Sequence, residues 1–189
     1  MASESVSGVV VVTGSAGVLG QRVCELAAAD PSVDRVVAID KRPRPAAPGI
    51  ATHTLDLATA DLKPLFEGAS VVVHLAQADP TEVADDAELA RRVLDAAGAV
   101  GAHHLVLLSS ALAYGAWANN PVPLTEDATL RPNPGVTLAA AKAEVERAAA
   151  DFRDDHPGTT VALLRPTVTV SPRKNGWLAR ALGRGSLAP

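Results

Sequence analysis

Four consecutive valines, Val9–Val12, run directly into Thr13-Gly14-Ser15-Ala16-Gly17-Val18-Leu19-Gly20, and that junction constrains the fold more than any other stretch. A short β-branched run of this kind reads as a buried strand, and the apolar-periodic segment Val18–Ala29 behind it reads as a helix. Three glycines at every third position between a strand and a helix have a physical use. One permits the tight turn, one lets the backbone approach a pyrophosphate, and one lets the helix pack on the strand, while the helix N-terminus offers free N–H groups and partial positive charge. The loop therefore predicts a dinucleotide held by Gly14, Ala16, Gly17, Val18, Leu19 and Gly20. The alternative is a glycine-rich turn without a ligand.

An acidic residue at the expected distance favours the first reading. Asp40 closes the second apolar run, Val36-Val37-Ala38-Ile39-Asp40, twenty positions past Gly20. A carboxylate there accepts hydrogen bonds from the adenosine ribose hydroxyls and repels a 2′-phosphate. Two unit charges about 4 Å apart at an effective dielectric of about 20 interact by roughly 4 kcal/mol, which favours NAD. Lys41 and Arg42 follow at once, and either can turn toward a 2′-phosphate, so NADP stays open.

The remaining apolar runs, Arg35–Ile39, Thr52–Leu55, Ser70–Leu75, Leu105–Leu108 and Thr160–Leu164, alternate with helical patterns at Ala60–Phe66, Glu82–Val100 and Val136–Phe152. Strands this apolar need cover on both faces, so the pattern predicts an α/β fold: a doubly wound, mostly parallel, Rossmann-type sheet in one domain spanning residues 1–189. On the helix at Glu82–Val100, residues Val83, Ala87, Ala90, Leu94 and Ala97 form one stripe, with Asp85, Arg92 and Asp95 left for water. This helix and the Ala-rich one at Val136–Phe152 pack on the sheet, or also pair in a homodimer. The Pro-rich stretch Arg42–Pro48 reads as a surface loop.

Composition excludes several partners. The chain is 48% hydrophobic and 20% charged with a net charge of −4, and its basic residues are scattered rather than clustered. With two Trp, one Tyr and two Phe it lacks the footprint of a nucleic-acid binder. Its apolar runs are too short to cross a bilayer, and the N-terminus lacks a positive signal region, so no membrane partner and a cytoplasmic location are expected. The lone Cys24 fits a reducing compartment and reads as a small core residue. His103 and His104, without a carboxylate or cysteine cluster, read as loop residues, and no metal site is expected.

Taken together these motifs resemble the extended short-chain dehydrogenase/reductase family, also called the NAD-dependent epimerase/dehydratase family. The resemblance implies that Asp56 and Leu57 contact the adenine, and that His74-Leu75-Ala76-Gln77 lies along the cofactor. It implies that Ser110, within Ser109-Ser110-Ala111-Leu112-Ala113-Tyr114-Gly115, hydrogen-bonds the reacting oxygen. Arg165-Pro166 resembles the segment after the sixth strand, and Lys142 the active-site lysine, which also holds the nicotinamide ribose. Plain alternatives stand beside each: Asp56 caps a short helix, His74 is a hydrogen-bonded structural histidine, Ser109 and Ser110 are turn residues, and Lys142 is a solvated lysine.

The sequence departs from the family at Leu138, where a tyrosine is expected four residues before the lysine. Leucine moves no proton, and positioned acid–base groups supply about 10²–10⁴ in rate. Asp86 stands near where the family carries an asparagine. The chain also stops soon after the sixth strand, at a point that looks cut, with Trp177–Leu182 reading as a helix and about 177–189 as the start of a C-terminal region. The implied function is oxidoreductase or epimerase chemistry on an alcohol or carbonyl of a sugar nucleotide, sterol or similar small molecule. The alternative is an NAD(P)-binding sensor or interaction module without turnover.

Overall fold

The computed structural model describes residues 8–78 and 85–167. Six strands, β1 (Gly8–Thr13), β2 (Val33–Asp40), β3 (Ile50–Thr54), β4 (Ala69–His74), β5 (His104–Leu108) and β6 (Thr160–Leu164), form one sheet in the order β3-β2-β1-β4-β5-β6. Every pairing is parallel. The helices are α1 (Val18–Ala29), α2 (Asp86–Ala99) and α3 (Thr137–Asp155). The expected doubly wound architecture is therefore present, and its strand order reverses between β1 and β4, where such folds bind ligands beyond the carboxyl ends of the strands.

Period-two alternation within the strands builds two cores. Val11, Val37, Ile39, Val72, Leu105 and Leu107 point to the face covered by α2 and α3, together with Phe66, Leu94, Val145 and Phe152. Their neighbours Val10, Val12, Val36, Ala38 and Val73 point to the opposite face, where Cys24 of α1 is buried among them. Val161 and Leu163 of β6 join the first core, whereas Thr160, Ala162 and Leu164 are exposed on the other side.

Several elements differ from expectation for identifiable reasons. Ala60–Phe66 forms only the 3₁₀ turn Pro64–Phe66, because Pro64 has no N–H with which to continue a helix begun earlier. Its Phe66 is nevertheless fully buried. Arg92, expected in water, reaches back to donate from Nε to the carbonyl of Leu57 at 2.8 Å and from its terminal nitrogen to Ala60 at 2.7 Å. His104 opens β5 opposite Val71 rather than lying in a loop, while His103 precedes the strand in a bend whose amide donates to the carbonyl of Ser70. Glu82–Ala84 of the expected helix, including Val83 of its stripe, and the expected helix at Trp177–Leu182 lie outside the described residues.

Candidate active site

The glycine loop closes as its spacing requires. Gly14 adopts φ +73°, and a Cβ there would fall against the backbone of Leu75 and Ala76. A Cβ on Gly20 would overlap the carbonyl oxygen of Gly14, so this third glycine lets α1 pack hard against the turn. Gly17 caps α1 in an extended conformation. The amides of Val18, Leu19 and Gly20 in the first turn have no carbonyl four residues before them inside the helix, which leaves the helix N-terminus open to an anion.

Asp40 ends β2 beside this loop. Its Oδ2 accepts the Ala16 amide at 2.9 Å, and its Oδ1 accepts the Arg42 amide at 2.9 Å and Arg42 Nε at 3.3 Å. A carboxylate has about four lone-pair sites, so capacity remains for ribose hydroxyls. Around it lies a cavity of about 450 Å³ lined by Gly14, Gly17, Asp40, Lys41, Arg42, Asp56 and Leu57 on one side and Leu75, Ala76, Gln77 and Ala78 on the other. Thus most residues assigned to cofactor binding meet in one cleft. Asp56 serves twice: it lines the cleft, and its Oδ1 caps the following turn by accepting the Ala58 amide at 2.9 Å.

Ser110 and Lys142 do not line that cavity. Lys142 is no solvated helix residue: it is 2% exposed, and its Nζ lies 2.8 Å from Oδ2 of Asp86, itself 3% exposed. Asp86 Oδ1 accepts the Ala78 amide at 2.5 Å, which ties the ion pair to the wall of the cleft. Beside them, buried His74 shares a 2.7 Å hydrogen bond between its Nδ1 and Thr13 Oγ1. Burial, then the Lys142 charge, push its pKa down to about 4, only partly opposed by Asp86, so the ring is neutral at physiological pH. Ser110 caps the 3₁₀ turn Ala111–Tyr114 by accepting the Leu112 amide at 3.2 Å.

A second buried cluster escaped the sequence reading. Glu146 of α3 is buried; it accepts from Ser109 Oγ and from Arg165, whose terminal nitrogen lies at 2.7 Å. Arg165 also donates to the Tyr114 hydroxyl at 2.6 Å, and Glu146 raises the arginine's pKa. The only tyrosine in the chain is thereby engaged beside the serine segment. Leu138 is 36% exposed, one turn before Lys142 on α3. Among the described residues no cluster of three His, Cys, Asp or Glu side chains suits a metal, and no helix is long and apolar enough to cross a membrane.

The sequence profile of the NAD dependent epimerase/dehydratase family matches residues 10–184. The chain belongs to that family. Among solved structures it resembles MoeE5 in complex with UDP-glucuronic acid and NAD, at 28% identity and a TM-score of 0.79, covering 95% of this chain and 62% of that one. A short-chain dehydrogenase/reductase superfamily protein from Agrobacterium tumefaciens with bound NAD is 27% identical, with a TM-score of 0.71 and coverage of 83% and 48%. The UDP-glucuronic acid 4-epimerase from Bacillus cereus, 18% identical with a TM-score of 0.79 over 94% of this chain and 63% of its own, shares the fold. This chain therefore spans under two thirds of the length of these similar proteins. A comparison with curated protein sequences gives no match.

Proposed function

We propose that this chain binds NAD in the crevice at the carboxyl ends of β1 and β4, and that it serves oxidoreductase or epimerase chemistry on an alcohol or carbonyl carbon of a sugar nucleotide or similar small molecule. The observation that carries the reading is the junction of Gly14, Ala16 and Asp40: a sterically cleared turn, an open helix N-terminus and a ribose-directed carboxylate on one cleft. These residues fit a dinucleotide. The turn and helix end suit a pyrophosphate, Asp40 suits a 2′,3′-diol, and Asp56 and Leu57 flank the place for an adenine. When bound, NAD supplies hydride acceptance and return. Sugar-nucleotide complexes of the similar MoeE5 support the substrate class.

Leu138 and the Lys142–Asp86 pair favour a second reading, a protein that binds NAD without appreciable turnover. No phenol stands one turn before the lysine, and the lysine's ammonium is engaged by a carboxylate. Calorimetric titration with NAD(H) and NADP(H), followed by single-turnover mixing of the NADH complex with carbonyl compounds, tests both parts. Binding with hydride transfer supports the first reading, binding without transfer the second, and failure of both NAD(H) and NADP(H) to bind removes both. Pairing of two chains through α2 and α3, and a cytoplasmic location, remain part of the proposal, to be tested by sedimentation and by fractionation.

A further inference from the structure

We propose that Arg92 is a positioning residue for the base-binding end of the cleft, holding the turn after β3 in the shape that tells an adenine from an oxo-purine. This rests on the reading that the cleft binds NAD. The turn Asp56–Ala60 contributes Asp56, Leu57 and Ala58 to the cleft lining. Arg92 of α2 ties that turn down: its Nε donates to the carbonyl of Leu57 at 2.8 Å and a terminal nitrogen to that of Ala60 at 2.7 Å. The arginine itself stands outside the cleft, with Ala60, Asp61 and Lys63 around a second cavity of about 290 Å³.

Little else fixes the turn to its surroundings. The Asp56 carbonyl accepts the amides of Thr59 and Ala60, and the Asp56 side chain accepts that of Ala58, all within the turn. Among the described residues no backbone amide meets the carbonyls of Leu57 and Ala60, so the rigid fork of the guanidinium joins both to α2. Leu89, one helical turn before Arg92, lines the cleft, so α2 supplies part of the wall and braces the rest.

These walls suit a flat base. Leu55, Leu57, Leu75 and Leu89 offer apolar surface, Asp56 a carboxylate, and Asp40 of the same cleft an acceptor for the adjoining ribose. A carboxylate accepts from an exocyclic amine and is repelled by a carbonyl oxygen, whereas apolar contacts are indifferent to that exchange. Reading the base therefore depends on where the turn holds Asp56, and Arg92 sets that place.

The test measures, by calorimetric titration, dissociation constants for NAD and for its hypoxanthine analogue, in which a carbonyl oxygen replaces the adenine amine. The full chain, Arg92→Met and Arg92→Lys are compared. Methionine keeps an aliphatic stem and removes every donor; lysine keeps the charge and can meet one carbonyl. The native chain should bind NAD about tenfold or more tightly than the analogue, as a site built to pair a polar group does. Arg92→Met should lose most of that ratio, mainly by weakening NAD about tenfold, and Arg92→Lys should fall between. A purely structural role would lower the melting temperature yet leave the ratio of the folded protein native. If Arg92→Met fails to fold, Arg92→Lys decides by the same ratio. Equal native binding of the two dinucleotides, or a native ratio in the folded variant, overturns the inference while leaving NAD binding intact. Absence of NAD binding by the unmodified chain instead overturns the function on which it rests.

Discussion

The backbone amide of Ala16 donates to Oδ2 of Asp40 across 2.9 Å, so one carboxylate both fixes the glycine loop and faces the cleft. Removing it should act on specificity and on the loop together. In Asp40→Ala, NAD should bind at least about tenfold more weakly, since a hydrogen bond to a charged group contributes roughly 1.5–3 kcal/mol. NADP should lose less, because Lys41 and Arg42 remain to meet a 2′-phosphate. Calorimetric titration of both cofactors checks this. Tighter NADP than NAD binding by the unmodified chain would show that Arg42, already seated against Asp40, sets the preference.

Gly17 and Gly20 of the loop should separate by experiment. A Cβ on Gly20 would overlap Gly14, whereas a Cβ on Gly17 meets the Gly14 carbonyl oxygen at 3.2 Å and otherwise only the Arg42 side chain at 3.9 Å. Gly17→Val should therefore fold with a melting temperature near native yet lose cofactor binding, because its side chain occupies the pyrophosphate approach. Gly20→Val should lose the fold itself. Circular-dichroism melts paired with NAD titration distinguish them, and a Gly17→Val protein that binds normally would place the ligand elsewhere.

His74 predicts a pH dependence. Its folded pKa of about 4 lies below the ordinary 6.5, so the unfolded chain binds the extra proton between those values. Stability from this group is full above pH 6.5 and declines as pH falls toward 4, by roughly 3 kcal/mol over the window. Urea unfolding at several pH values should show that slope in the native chain and a flatter one in His74→Asn. Equal slopes would mean that another group carries the acid sensitivity.

Local pattern made the sheet and the adenosine half of the site legible. The alternation of Val10 and Val11 between two cores, the Gly14 turn and Asp40 at a strand end all follow from short-range chemistry. Strand ends shifted by a residue or two where ladder bonds extend past the apolar run, as at His104. The charged half was not legible. Glu146 on an Ala-rich helix looks like a solvated residue until Arg165 from the next strand's end reaches it, and Asp86 meets Lys142 only because α2 and α3 pack together. Such pairs are set by tertiary packing, and no spacing rule encodes them.

Leu138 carries the last prediction. It lies one helical turn before Lys142, so a phenol introduced there would sit on the same helix face as the lysine. The native chain should reduce carbonyl compounds very slowly or not at all, since no proton donor stands at this position. Leu138→Tyr alone should gain little, because a lysine neutralised by Asp86 at 2.8 Å does little to acidify a phenol. Combining Leu138→Tyr with Asp86→Asn frees the ammonium, and the pair should then approach the roughly 10²–10⁴ that a positioned acid supplies. Single-turnover loss of NADH absorbance against a panel of keto sugars and simple ketones, in native, single and double variants, is the measurement. Strong native turnover abolished by Ser110→Ala would mean that another acid operates beside the serine, and Tyr114, already hydrogen-bonded to Arg165, would be the first to examine. No gain in the double variant would leave binding without turnover as the better account of this chain.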